Sequence, residues 1–113
     1  MAKRGDKLYL RDILNSIKKI EKYVYKLSYK EFSKNLMIID AVVRNFEIIG
    51  EATKNLSKEI KFSHPEVPWK EIAGMRNKVI HEYFGVNLKI VWKTINERLP
   101  ELKIKIEEIL KNI

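Results

Sequence analysis

Arg76, Asn77, His81 and Tyr83 are chemically capable side chains crowded into one short stretch of the chain. The apolar residues around them recur at helical spacing. One seam runs Trp69, Ile72, position 76, Val79, Tyr83, and its neighbour runs Ala73, position 77, Ile80, Phe84. Arg76 and Asn77 therefore stand where the pattern asks for apolar groups. Burying an unpartnered amide costs on the order of 1–3 kcal/mol, and an unpartnered guanidinium more. A violation of this kind belongs to a functional site or to an interface that satisfies both groups. On a helical wheel of about 100° per residue, His81 falls on nearly the same face as Asn77, and Tyr83 is close to aligned with Arg76. The set combines a permanent cation, an imidazole that titrates near neutral pH, an amide and a phenol. Such a cluster can hold a phosphate and move a proton. Each residue also has a plainer reading: His81 as a partner of final helical carbonyls, Arg76 as a snorkelling side chain, Tyr83 as a core-edge aromatic.

Other chemistries are excluded or unsupported. The chain has no cysteine, which removes a disulfide framework, a thiolate metal site and a cysteine nucleophile together. His64 and His81, the two histidines, lie 17 residues apart with no carboxylate cage around them. Neither a metal nor any other cofactor is expected.

The elements that must position the cluster are helices. Leu10, Ile13, Ile17, Ile20, Val24 and Leu27 form one stripe over residues ~7–28. Ser28, Tyr29 and Ser33 mark a break. A second helix is expected from about Asn35 to Ser57, with Ile39, Val42, Phe46, Ile49 and Leu56 on its seam. The two-proline loop from Phe62 to Pro68 ends it, and Pro68 suits the first turn of a third helix running to about Tyr83. Gly85 is placed to cap that helix and Asn87 to open a fourth, with Leu88, Val91, Trp92 and Ile95 inward. Pro100 opens a last helix along Leu99, Leu102, Ile106, Ile109 and Ile113. The expected fold is all-α, an antiparallel bundle of four to five helices in a single domain over residues 1–113, with 1–6 a flexible basic N-terminus.

Length and charge agree with this. A chain of 113 residues with 45% apolar and 34% charged residues is one domain with enough apolar material to fold. No apolar run approaches the roughly 20 residues of a membrane span, and the start MAKRGDK has no hydrophobic signal core, so a soluble, cytoplasmic protein with no membrane partner is expected. The net charge of +8 is uneven: residues 1–35 carry ten basic and four acidic groups, residues 36–75 five and six, residues 76–113 eight and five. The basic balance permits attraction to a polyanion such as RNA, or simply solubilises helical surfaces. On the second helix, Asp40, Arg44, Glu47, Glu51, Lys54 and Lys58 recur in steps of four and three. This stripe is either a solvated face of alternating charge or a source of support for Arg76 through Arg44, Glu47 or Glu51. Trp69 and Trp92 fall on apolar stripes and read as core.

The run Met75-Arg76-Asn77-Lys78-Val79-Ile80-His81-Glu82-Tyr83-Phe84-Gly85-Val86 closely resembles the signature of the HepT-like branch of HEPN domains, an Arg-x4-His-x-Tyr pattern with a polar residue after the Arg. The resemblance extends through Asp40 to Leu56, Val67 to Gly74, Val91-Trp92 and Leu99 to Leu102, and covers about residues 8–110. Asn87 stands where many relatives carry Asp, and both are good N-caps. The resemblance implies a homodimeric, metal-independent ribonuclease, the toxin of a toxin–antitoxin pair. It implies catalysis by Arg76 and His81, support from Asn77, and an MNT-type nucleotidyltransferase partner that transfers AMP to Tyr83. Two other functions stay open: a non-catalytic HEPN module that binds nucleotides or RNA, and a helical interaction domain whose polar cluster fixes dimer register.

Overall fold

The structure is a computed structural model that describes residues 5–75 and 88–113. Its helices are α1 (Asp6–Val24), α2 (Tyr29–Lys34), α3 (Leu36–Asn55), α4 (Lys58–Ser63), α5 (Trp69–Ala73), α6 (Leu88–Lys93) and α7 (Leu99–Lys111), with a wide π turn at Thr94–Arg98 joining the last two. Among the described residues there is no strand, so the architecture is all-α, as the periodicity predicts.

The long helices form because their apolar residues fall on one face and find one another. Leu10, Ile13, Ile17 and Ile20 of α1 are fully buried against Ile39, Val42, Phe46 and Ile49 of α3, and Ile106 and Ile109 of α7 close the other side. Truncating any of the leucine or isoleucine side chains among these to Ala costs roughly 2–5 kcal/mol. Polar ties set the directions. Asp6, at the start of α1, accepts from the Ser57 N–H at 2.8 Å and the Ser57 hydroxyl at 2.5 Å, just beyond the end of α3. Lys103 of α7 donates to Glu21 near the end of α1 at 2.9 Å, which holds the Lys103 ammonium above its ordinary pKa. Both α3 and α7 thus run antiparallel to α1.

Several boundaries differ from the sequence expectation, each for a local reason. The first helix ends at Val24 rather than near residue 28, because Tyr25 is extended and Lys26 takes φ 61°. The expected break at Ser28–Ser33 is itself a helix, started by a capping box: the Glu31 N–H donates to the Ser28 hydroxyl, and Glu31 accepts from the Ser28 N–H. Ser57 opens α4 as an N-cap instead of closing α3. Asp6, which the sequence reading assigns to the N-terminal tail, is 1% exposed.

The last two expected helices are continuous. Pro100 has no N–H and its ring crowds the carbonyl four residues back. The backbone widens there, so that the Leu99 N–H reaches Thr94 O. Thr94 and Asn96 side chains donate to the carbonyls of Ile90 and Trp92, at 2.9 and 2.8 Å. The third helix is described only through α5, the turn at Gly74 and helical Met75. Gly85 and Asn87, the expected cap residues, lie outside the described residues.

Candidate functional site

The stretch that leads into the Arg76 cluster is anchored from both sides. Val67 donates its N–H to His64 O at 3.2 Å, and the Trp69 indole N–H donates to the same carbonyl at 2.9 Å. Trp69 and Ile72 then bury one face of α5 against α3, and Met75 is buried immediately before Arg76. Lys105 of α7 donates to Glu66 O at 3.1 Å and ties the preceding loop to the C-terminal helix. The segment from Glu66 to Ile72 is therefore tied to both α3 and α7 just before Arg76. Arg76, Asn77, His81 and Tyr83 themselves lie outside the described residues.

Beside this anchor the structure holds a cleft of about 530 Å³. Ile72, Met75, Val91, Leu99 and Leu102 form its apolar lining, and its rim carries carboxylates and cations, with Glu71 and Arg98 3.9 Å apart. Sequence reasoning missed this cleft, because α5 and the π turn come together only in three dimensions. The one available signal was Pro100, whose missing donor forces the wide turn that lines it.

The residues expected to support Arg76 sit on α3. Arg44 pairs with Glu47 at 3.8 Å, with Arg44 largely exposed, and Glu51 is exposed one turn on. Together with Tyr9 and Asp12 of α1 they line a shallow recess of about 380 Å³. Asn45, which the sequence reading did not single out, is buried beside Arg44. Its amide donates to Ala41 O at 2.8 Å, while its Oδ1 has no hydrogen-bond partner among the described residues. Trp69 and Trp92 are packing residues: Trp92 lies 5.0 Å from the Phe32 ring and 6.2 Å from Tyr29, centroid to centroid. His64 lies 3.5 Å from the Glu66 carboxylate. Among the described residues no three His, Asp or Glu side chains come together as a metal cage, and no helix is long and apolar enough to cross a membrane.

The HepT-like ribonuclease family matches residues 13–109, a span that includes the whole Arg76–Tyr83 stretch. A protein of Caldanaerobacter subterraneus subsp. tengcongensis is 50% identical over 103 residues, 91% of this chain and 92% of its own length. A protein of Thermococcus cleftensis is 45% identical over 109 residues, 96% and 99% of the two chains. One from Methanocaldococcus jannaschii is 45% identical over 113 residues, 100% and 93%. All three bear ribonuclease names given by inference, and the Thermococcus protein is named ribonuclease HepT. No solved structure matches the chain. With relatives aligned over nine-tenths or more of their own lengths, the chain belongs to the HepT-like ribonuclease family.

Proposed function

We propose that this protein is a metal-independent endoribonuclease that acts as a homodimeric toxin, with Arg76 and His81 as its catalytic residues. The observation that carries the reading is the Arg76-x4-His81-x-Tyr83 pattern inside the span matched by a ribonuclease family. RNA holds its own nucleophile, the 2′-OH. Once that proton is removed, the oxygen attacks the adjacent phosphorus, the bond to the 5′-oxygen breaks, and a 2′,3′-cyclic phosphate remains. His81 takes the 2′-OH proton, since an imidazole with an ordinary pKa near 6.5 is available as a base at neutral pH, a role worth roughly 10²–10⁴-fold. Arg76 holds the phosphate and stabilises the charge growing on its oxygens. Asn77 orients the imidazole or donates to the phosphate, and His81 of a second copy protonates the leaving oxygen. Arg44, Glu47 and Glu51 support the cation from α3. The partner is an MNT-type nucleotidyltransferase antitoxin that silences the site by adding AMP to Tyr83.

His81→Ala and Arg76→Ala are each expected to abolish cleavage of RNA in buffer containing chelator, with the helical circular-dichroism signal unchanged. Cleavage by His81→Ala, or loss of wild-type cleavage on chelation, overturns the mechanism. Full RNA binding with no cleavage by the wild type would point instead to a binding module.

A further inference from the structure

The outward face of α1 carries a feature that the proposed chemistry does not use. Lys7, Arg11, Lys18 and Lys22 are all exposed. At 100° and 1.5 Å per residue they fall within an arc of about 60° over a length of about 22 Å. None makes an ion pair among the described residues. Each of the three carboxylates of α1 either lies off this arc or is already engaged. Asp6 is buried on Ser57, Asp12 faces the α3 recess, and Glu21 is engaged by Lys103. The field of the stripe is therefore not balanced from its own helix. At its C-terminal end Tyr25 is 71% exposed, with the Lys26 ammonium 5.4 Å from the ring centroid.

We propose that this face of α1 is a track for the RNA strand flanking the cleavage point, with the Lys7, Arg11, Lys18 and Lys22 side chains on phosphates along the strand and Tyr25 offered to a base. A cationic row ending in an exposed aromatic is the combination that binds single strands without reading sequence. The face fits a polynucleotide better than other polyanions. A membrane-surface helix needs its apolar side free, whereas Leu10, Ile13, Ile17 and Ile20 are spent on the core. The centres of protein interfaces are poor in Lys and built round buried anchors, which this face lacks. No residue of α1 lines the cleft beside Met75. An RNA that engages all four cations runs along about 22 Å and so spans several nucleotides, which makes the preferred substrate a strand rather than a dinucleotide. The identification of the polyanion as RNA rests on the ribonuclease reading above.

The test compares two variants of equal net charge in the full chain. One carries Lys7, Arg11, Lys18 and Lys22 changed to Gln. The other carries the same change at Lys34, Lys54, Lys58 and Lys111, four exposed lysines elsewhere. A fluorescein-labelled single-stranded RNA of about 20 nucleotides, long enough to lie along the stripe, is titrated in a His81→Ala background that leaves it intact, across a range of salt. Each lost phosphate contact lowers the slope of log K against log salt by about 0.7, so the stripe variant should lose about 3 units of slope. Its affinity at low salt should fall more than tenfold, while the control set keeps the wild-type slope. Equal losses in both variants, no loss in either, or loss of polyglutamate binding with RNA binding intact overturns the track.

Cleavage of the dinucleotide UpA by chains with His81 present separates this idea from the one beneath it. Stripe variants that cut UpA normally but show a raised KM on the long RNA support the track. An unchanged KM on both substrates rejects the track and leaves the ribonuclease standing. If the wild type cuts neither substrate yet binds RNA with the stripe-dependent slope, the track stands and the ribonuclease reading falls.

Discussion

At the scale of single residues, Tyr83 tests regulation apart from catalysis. A phenol in the Arg76–Tyr83 stretch can serve as an acceptor. AMP esterified to it would place a negatively charged phosphodiester beside Arg76, where RNA has to displace a charge-assisted contact roughly twice as strong as a neutral hydrogen bond. Incubation with the cognate nucleotidyltransferase and ATP-Mg²⁺ is expected to raise the mass of the chain by one or more AMP units, mapped to Tyr83, with inhibition that survives dilution. Tyr83→Phe should stay folded, unmodified and active in the same mixture. AMP found on Tyr83→Phe moves the acceptor to another tyrosine, and inhibition without mass gain makes neutralisation steric. The candidate residues stand out in the sequence because two polar side chains, Arg76 and Asn77, interrupt apolar seams. Asp6 and Asn45 were not legible. Each carries the same one-letter signal as an exposed polar residue, and only the approach of Ser57, or the enclosure of α3, makes it buried.

At the scale of elements, the junction between α1 and α3 shows local chemistry overruling periodicity. The apolar stripe of α1 continues to Leu27, yet the helix stops at Val24 because Ser28 and Glu31 start a new one from the other side. The signal was present as Ser28-x-x-Glu31, but the stripe concealed it. The Ser28 backbone N–H, and then its hydroxyl through the cap, hold the Glu31 carboxyl below its usual pKa. A depressed carboxylate stabilises the fold above its unfolded-state pKa, and that contribution is lost as pH falls through its folded value. Ser28→Ala keeps the backbone donor and removes the hydroxyl, so it should destabilise by about 1 kcal/mol at neutral pH, measured by urea denaturation, with the gap to wild type narrowing slightly in acid as the hydroxyl's share of the Glu31 effect disappears. A gap that widens in acid contradicts the cap. Lys26 sits between the helices at φ 61°, a conformation that penalises any residue with a Cβ by about 1–2 kcal/mol. Glycine gives back part of this in backbone entropy, so Lys26→Gly should stabilise by up to about 1 kcal/mol. The join of α6 to α7 was misread for the opposite reason. Pro100 looks like a start, and the π turn before it is a way of carrying a helix through a proline.

At the scale of the whole molecule, the question is whether one chain can supply every group the reaction needs. Each copy has a single His81, and the second histidine of the sequence, His64, is held near Glu66 in the loop before α5. Cleavage by transesterification needs a base for the 2′-OH and an acid for the leaving 5′-oxygen, and one imidazole cannot stand on both sides of the phosphorus at once. The proposed two-fold dimer would solve this if the patch that meets itself carries His81, so that two copies of the imidazole come to one axis. Solution scattering should accordingly report about twice 13.4 kDa at micromolar concentration. The sharper test uses mixed dimers. His81→Ala chains are co-refolded with wild type in varied proportion, so that partners distribute at random, and RNA cleavage is measured at constant total protein. If both imidazoles serve one site, only dimers with two intact chains cut, and activity falls as the square of the wild-type fraction. An equal mixture then retains about one quarter of the activity. If each chain works alone, the same mixture retains about one half, and the decline is linear. A linear decline removes the shared site even if the dimer exists. It returns the role of general acid to a group within the same chain or to water.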